Sequence, residues 1–187
     1  ETGTITYGGS CSSSDTSADA DNNTVTFNAL SDGTYSDCKI SVTATSSGLT
    51  SDNLSVDNFT IDTIAPSLSQ VTAVTSLTND QTPDYTFSSN EAGTITYGGS
   101  CSSSTSSASA SDNAITFTAL DDGTYDNCTI AVTDSSGNTS DNLSVTSFTV
   151  AVPPVLAEVT AVSTPTSDNT PDYTFSSNES GTISYGG

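Results

Sequence analysis

The chain has 187 residues, of which 22 are Asp or Glu and one, Lys39, is basic; it has no His, and its net charge is −21. So acidic a chain has no cations with which to displace counterions from nucleic-acid phosphates, and an anionic membrane surface repels it. Without His it lacks the commonest general base and the commonest metal ligand, so most catalytic constellations are excluded.

By count, 36 Ser and 34 Thr make up over a third of the chain, and hydrophobic residues only 32%. That composition alone reads as disorder. The apolar residues alternate, however. Tyr85 and Phe87 flank Thr86, Ile95 and Tyr97 flank Thr96, and Ile115 and Phe117 flank Thr116. Cys128, Ile130 and Val132 keep one phase. Period two is the mark of a strand with one buried and one wet face, and Thr suits the wet face. An all-β fold follows.

Residues 1–14 (ETGTITYGGSCSSS) recur at 91–104 with one change, and residues 82–90 (TPDYTFSSN) recur unchanged at 170–178. A third GTIxYGG segment ends at Gly187. One unit is therefore 88–90 residues, too long for a solenoid coil and suited to a small β-sandwich. Prolines at Pro66, Pro153 and Pro154 mark the joints. The expected domains are 1–63 (partial), 64–151 (complete) and 152–187 (partial). In the complete one, strands are expected at 68–74, 84–88, 94–98, 114–120, 125–133 and 143–150, with a Ser-rich stretch at 102–112. The apolar phase slips between Val145 and Phe148, and likewise between Val56 and Phe59, which predicts a β-bulge in both copies. The partial domains are expected to be a window on a longer tandem array. The alternative is a filament in which one copy's C-terminal strands complete the next copy.

The segments 119–125 (ALDDGTY) and 130–138 (IAVTDSSGN) resemble the E–F corner, strand F and F–G turn of bacterial Ig-like domains. Residues 62–66 (DTIAP) look like the linkers of that family. These repeats build the stalks of large surface adhesins and biofilm-associated proteins. The resemblance implies tandem Ig-like β-sandwiches and makes Tyr125, with its copy Tyr35, a tyrosine-corner residue. The spacing departs from the antibody pattern, because Cys128 follows Tyr125 by three positions and Trp is absent. The antibody disulfide is therefore not carried over.

Cys11 and Cys38 are 27 apart, as are Cys101 and Cys128. One pair per repeat at constant spacing points to an intra-domain bridge, with a metal site or free thiols as alternatives. Two Cys without His make a poor zinc site. In an Ig-type sheet the end of strand C lies beside the start of strand F, which would bring each pair within bridging range. Such bridges imply an oxidising, extracellular compartment. A Lys–Asn isopeptide lock is rejected, since Lys39 has Thr129 as its counterpart.

Most carboxylates belong to Asp in turns, where the side chain bonds the local backbone. Asp15, Asp19 and Asp21 have Thr105, Ser109 and Ser111 as counterparts and read as a solvated loop. The sharper candidate is calcium at the first junction, held by Asp52, Asp57, Asp62, Asp80 and Asp84. No cofactor is expected, with calcium at this junction as the alternative. Sequons at Asn53, Asn58, Asn127 and Asn142 are expected by chance in so hydroxyl-rich a chain. No carboxylate pair or activated Ser suggests an enzyme. The expectation is a structural extracellular fibre or stalk whose partners are neighbouring repeats or further copies of itself. The alternatives are the strand-exchanged filament and an adhesin module binding glycan or protein.

Overall fold

The computed structural model describes residues 1–186 and is all-β, with no helix among them. Accordingly, no helix there is long and apolar enough to cross a membrane. The chain divides into two compact units, Glu1–Ala65 and Pro66–Gly187.

The first unit contains β1 (Gly3–Gly8), β2 (Ser17–Ala18), β3 (Gly33–Tyr35), β4 (Lys39–Ala44), β5 (Leu54–Ser55) and β6 (Phe59–Ile61). They form one sheet in the order β2-β1-β4-β5 and a two-stranded sheet β3-β6. The antiparallel β1–β4 pair runs from Gly3↔Ala44 to Gly8↔Lys39. Alternation sets its faces: Gly3 and Ile5 are buried while Thr4 and Thr6 are exposed.

The second unit contains β7 (Leu68–Thr72), β8 (Leu77–Thr78), β9 (Asp84–Ser89), β10 (Gly93–Gly98), β11 (Ser107–Ala108) and β12 (Asp112–Thr116). It continues with β13 (Gly123–Tyr125), β14 (Thr129–Thr133), β15 (Leu143–Ser144), β16 (Phe148–Val150), β17 (Leu156–Thr160) and β18 (Thr174–Ser177). Three sheets, β12-β9-β7, β11-β10-β14-β15 and β13-β16-β8, surround one core, and β17-β18 stands as a separate ribbon. The pairings are antiparallel except β8 with β16. Tyr85 and Phe87 of β9 and Ile115 of β12 join Ile95, Ile130, Val132, Phe148 and Val150 from the other sheets in that core. Every second residue of β9 points inward, so a chain one-third hydrophobic still closes a core.

The structure corrects several expected elements. The phase slip at 143–150 is a break between two short strands: β15 pairs with β14, while β16 pairs with β13 and β8. Crossing from one sheet to another reverses the inward parity without a bulge. β5 and β6 divide the same way. The bulges lie elsewhere, between Gln70 and Thr72 and between Glu158 and Thr160. The expected 125–133 strand splits at Cys128 into β13 and β14. The 114–120 strand begins earlier, at Asp112, and ends at Thr116, although Phe117 and Leu120 beyond it are buried.

Two repeat segments take no strand where their copies do. Residues 22–26 are not a strand, unlike their copy β12, because the first unit has no counterpart of β9 for them to pair with. Residues 181–186 repeat the β1 sequence with one change, Ser184 for Thr6, without forming a strand, and among the described residues they pair with no counterpart of β4; Gly187 lies outside the described residues. Strand structure is a pairing property, so a sequence that lacks its partner stays irregular.

Candidate functional site

The best-formed site occurs twice, at the corner where β1 or β10 ends. A Gly-Gly turn leaves the strand and delivers a cysteine: Gly9 has φ +76° and Gly99 has φ +74°, the left-handed region that favours glycine. At Gly99 a side chain would also collide with the carbonyl oxygen of Asn127. Cys11 bonds Cys38 and Cys101 bonds Cys128, with Cα separations of 5.2 Å and 5.3 Å. All four sulfurs are buried in their units, and no cysteine is free. The two disulfides are those of a protein matured in an oxidising environment.

A polar clasp, not foreseen from the sequence, closes the same corner. Ser10 N donates to Asp37 Oδ1 at 3.1 Å and Ser10 Oγ to Asp37 Oδ2 at 3.1 Å. In the second copy Ser100 N donates to Asn127 Oδ1 at 3.1 Å, and Asn127 Nδ2 donates to Ser100 Oγ at 3.1 Å. Asp and Asn share a shape, and the serine hydroxyl donates to one and accepts from the other. The signal available in sequence was the residue preceding each second cysteine.

The structure places Tyr35 and Tyr125 alike. Tyr35 OH donates to the Ser31 carbonyl at 2.7 Å and Tyr125 OH to the Asp121 carbonyl at 2.9 Å. Each returns to the backbone four residues upstream, the bond of a tyrosine corner. Each ring stacks at a centroid distance of 5.3 Å on a phenylalanine, Tyr35 on Phe59 and Tyr125 on Phe148. A second repeated tether is Tyr7 OH to the Asp15 carbonyl and Tyr97 OH to the Thr105 carbonyl. Burial pushes the Tyr85 and Tyr97 hydroxyls above the ordinary tyrosine value.

The candidate calcium carboxylates are spread over both units. Among the described residues of the first unit, Asp52, Asp57 and Asp62 do not gather within 4.8 Å of one another. Asp62 Oδ1 accepts from Ile64 N at 3.2 Å. In the second unit Asp80 Oδ1 accepts from Thr82 N at 2.8 Å, a local turn bond, and Asp84 Oδ1 accepts from Thr116 Oγ1 at 2.6 Å. Asp15 also works locally, accepting from Thr26 N at 2.9 Å. Asp19 and Asp21 are exposed; the Asp19 N–H donates to Asn23 Oδ1 and Asp21 Oδ1 accepts from Asn22 N. Asp134 organises the turn before Asn138, accepting from Ser136 N at 2.8 Å and from both Asn138 N and Nδ2 at 2.9 Å. Burial raises its pKa, but the bonds from Asn138, Ser136 and Gly137 outweigh this and hold it below the usual carboxylate value.

Two apolar faces complete the inventory. In the first unit Val25, Phe27, Ile40, Val42 and Phe59 are half-buried, while their copies Ile115, Phe117, Ile130, Val132 and Phe148 are fully buried. On the β17–β18 ribbon, Leu156 is 62% and Tyr173 54% exposed, whereas Tyr85, the copy of Tyr173, is 0% exposed. Compared with family models, curated proteins and solved structures, the chain matches none.

Proposed function

We propose that the chain is part of an extracellular fibre or adhesin stalk, built from tandem Ig-like domains that are each locked by one disulfide. The observation that carries this reading is the strand order of the second unit. Strands β7, β9 and β12 share one sheet, while β10, β14 and β15 share another, as strands A, B, E and C, F, G do in Ig-type sandwiches. The first unit repeats the part of that order its residues supply, with the same disulfide and the same tyrosine tether.

Function then lies in reach and continuity. Load passed along the chain meets a covalent shortcut in each domain, since the residues between Cys101 and Cys128 cannot extend while the bond holds. The hydroxyl and carboxylate surface, with a net charge of −21, keeps such fibres from aggregating side by side. Intact mass spectrometry of the native polypeptide tests the reading. The expected mass is many times the 18.9 kDa of this stretch; a mass near 18.9 kDa would overturn the tandem array.

A further inference from the structure

Each joint of the chain is tied on both sides by a side-chain oxygen that accepts from a backbone N–H. On the exit side, strand register places the acceptor. β3 pairs with β6 as Gly33↔Ile61 and β13 with β16 as Gly123↔Val150, so the residue before each glycine lies beside the chain as it leaves the sheet. In both copies that residue is an aspartate. Asp32 Oδ1 accepts from Thr63 N at 3.1 Å and from Thr63 Oγ1 at 2.9 Å. Asp122 Oδ1 accepts from Val152 N at 3.1 Å. On the entry side, Asn90 Oδ1 accepts from Ser67 N and Asn178 Oδ1 from Val155 N, both at 2.6 Å. The asparagine backbone closes each entry pair: Asn90 N donates to the Ser67 carbonyl and Asn178 N to the Val155 carbonyl, both at 3.3 Å. Between the ties lie residues 64–66 in the first joint and 153–154 in the second.

Little freedom remains between those ties. Pro66, Pro153 and Pro154 each fix φ near about −65°. Each also restricts the residue before it to extended backbone, which covers Ala65, Val152 and Pro153. Proline has no N–H, so Val152 carries the single backbone donor of residues 152–154, and Asp122 takes it. In the first joint Ile64 N donates to Asp62 Oδ1 at 3.2 Å, next to the Thr63 tie. The two linkers differ in length and sequence, TIAP against VPP, whereas the acceptors recur. What the repeat keeps is therefore the fixing of the linker ends. We propose that the Asp32 and Asp122 carboxylates, with the Asn90 and Asn178 amides, are joint clamps that make each linker a short stiff spacer instead of a hinge. The inference goes beyond the stalk reading, which requires only that domains follow one another. In a stalk the clamps remove slack: each residue released from a tie would let the linker lengthen by up to about 3.3–3.6 Å before load reached the sheets. Both aspartates are exposed, so each tie has the strength of an ordinary hydrogen bond in water.

The test is amide relaxation and hydrogen exchange by NMR on the 187-residue chain. The Thr63 and Val152 amides are expected to have order parameters near about 0.85, the value of rigid backbone. Asp122→Ala is expected to lower that of Val152 below about 0.6, and Asp32→Ala that of Thr63. Exchange of the released amide is expected to quicken about twofold to tenfold. Asp122→Asn keeps an oxygen acceptor of the same shape and is expected to keep Val152 ordered. The Ile130 and Val132 amides, inside the core sheet, are expected to hold their protection in each variant, which separates a released joint from an unfolded unit. Mobile Thr63 and Val152 amides in the unmodified chain would overturn the proposal. So would unchanged order at Val152 in Asp122→Ala, or a loss in Asp122→Asn as large as in Asp122→Ala. None of these results bears on the mass of the native polypeptide, so the stalk reading stands or falls separately.

Discussion

The nonapeptide TPDYTFSSN occurs twice, and its tyrosine is wholly buried in one place and largely exposed in the other. Replacing Tyr85 by Ala removes a side chain that stacks on Phe117 and whose hydroxyl donates to Gln70 Oε1 at 3.1 Å. Deleting a fully buried aromatic leaves a cavity as well as losing transfer energy, at a cost of about 3–5 kcal/mol. Against a domain stability of roughly 5–15 kcal/mol this brings the second unit near unfolding. At roughly 4–8 °C per kcal/mol it lowers the melting temperature by more than about 12 °C. Tyr173→Ala, made in dilute protein, removes a ring already 54% exposed and outside the core cluster. It is expected to move the same transition by less than about 0.5 kcal/mol. The assay is urea and thermal unfolding of the two variants followed by near-ultraviolet circular dichroism. Equal shifts, or a small shift for Tyr85→Ala, would refute the argument that covering by the second sheet, not the local sequence, makes these residues core.

Removing a disulfide with Cys101→Ser and Cys128→Ser should cost the second unit roughly 3–4 kcal/mol in the chain-entropy model, read as a lower urea midpoint. Native protein without reductant should show no reactive thiol. In single-molecule stretching, reduction should lengthen the unfolding step of the second unit by about 90 Å, the reach of the loop between Cys101 and Cys128; an unchanged step would contradict a bridge between them. Gly99→Ala, at φ +74° and against the Asn127 carbonyl, should destabilise by about 1–3 kcal/mol, whereas Gly181→Ala, with nothing near it, should be close to neutral. The pH dependence has two arms. Tyr85 and Tyr97 have raised values when folded, so their contribution is complete below the unfolded value of about 10 and is lost as pH rises through the folded values; phenolate absorbance, compared with Tyr85→Phe and Tyr97→Phe variants, should show both titrating above the unfolded value. Asp134 is lowered when folded, so its contribution is present above the usual carboxylate value and is lost as pH falls through the folded one; Asp134→Asn should remove that acid dependence from the 134–138 turn.

Much of this was legible along the chain because its signals are local. Alternation at Tyr85 and Phe87 is a property of neighbouring residues, and it named the strand and its inward face. The 27-residue cysteine spacing, repeated at a fixed offset, named two pairs that the fold does bring together. The Ser10–Asp37 and Ser100–Asn127 clasps were not found, since they join residues 27 apart whose types are unremarkable in so polar a chain.

Sequence by itself therefore determined the class of structure, the repeat length and which side chains can face inward. Tertiary structure alone decided which of them do. Tyr85 and Tyr173 share every near neighbour in sequence, and Ile95 and Ile183 lie in segments that differ only at Thr96 and Ser184 (GTITYG and GTISYG), yet one of each pair is buried and the other exposed. A strand is completed, and its apolar face dried, by a partner distant in the chain. Where that partner is absent, as for residues 22–26 and 181–186, the same kind of sequence stays open.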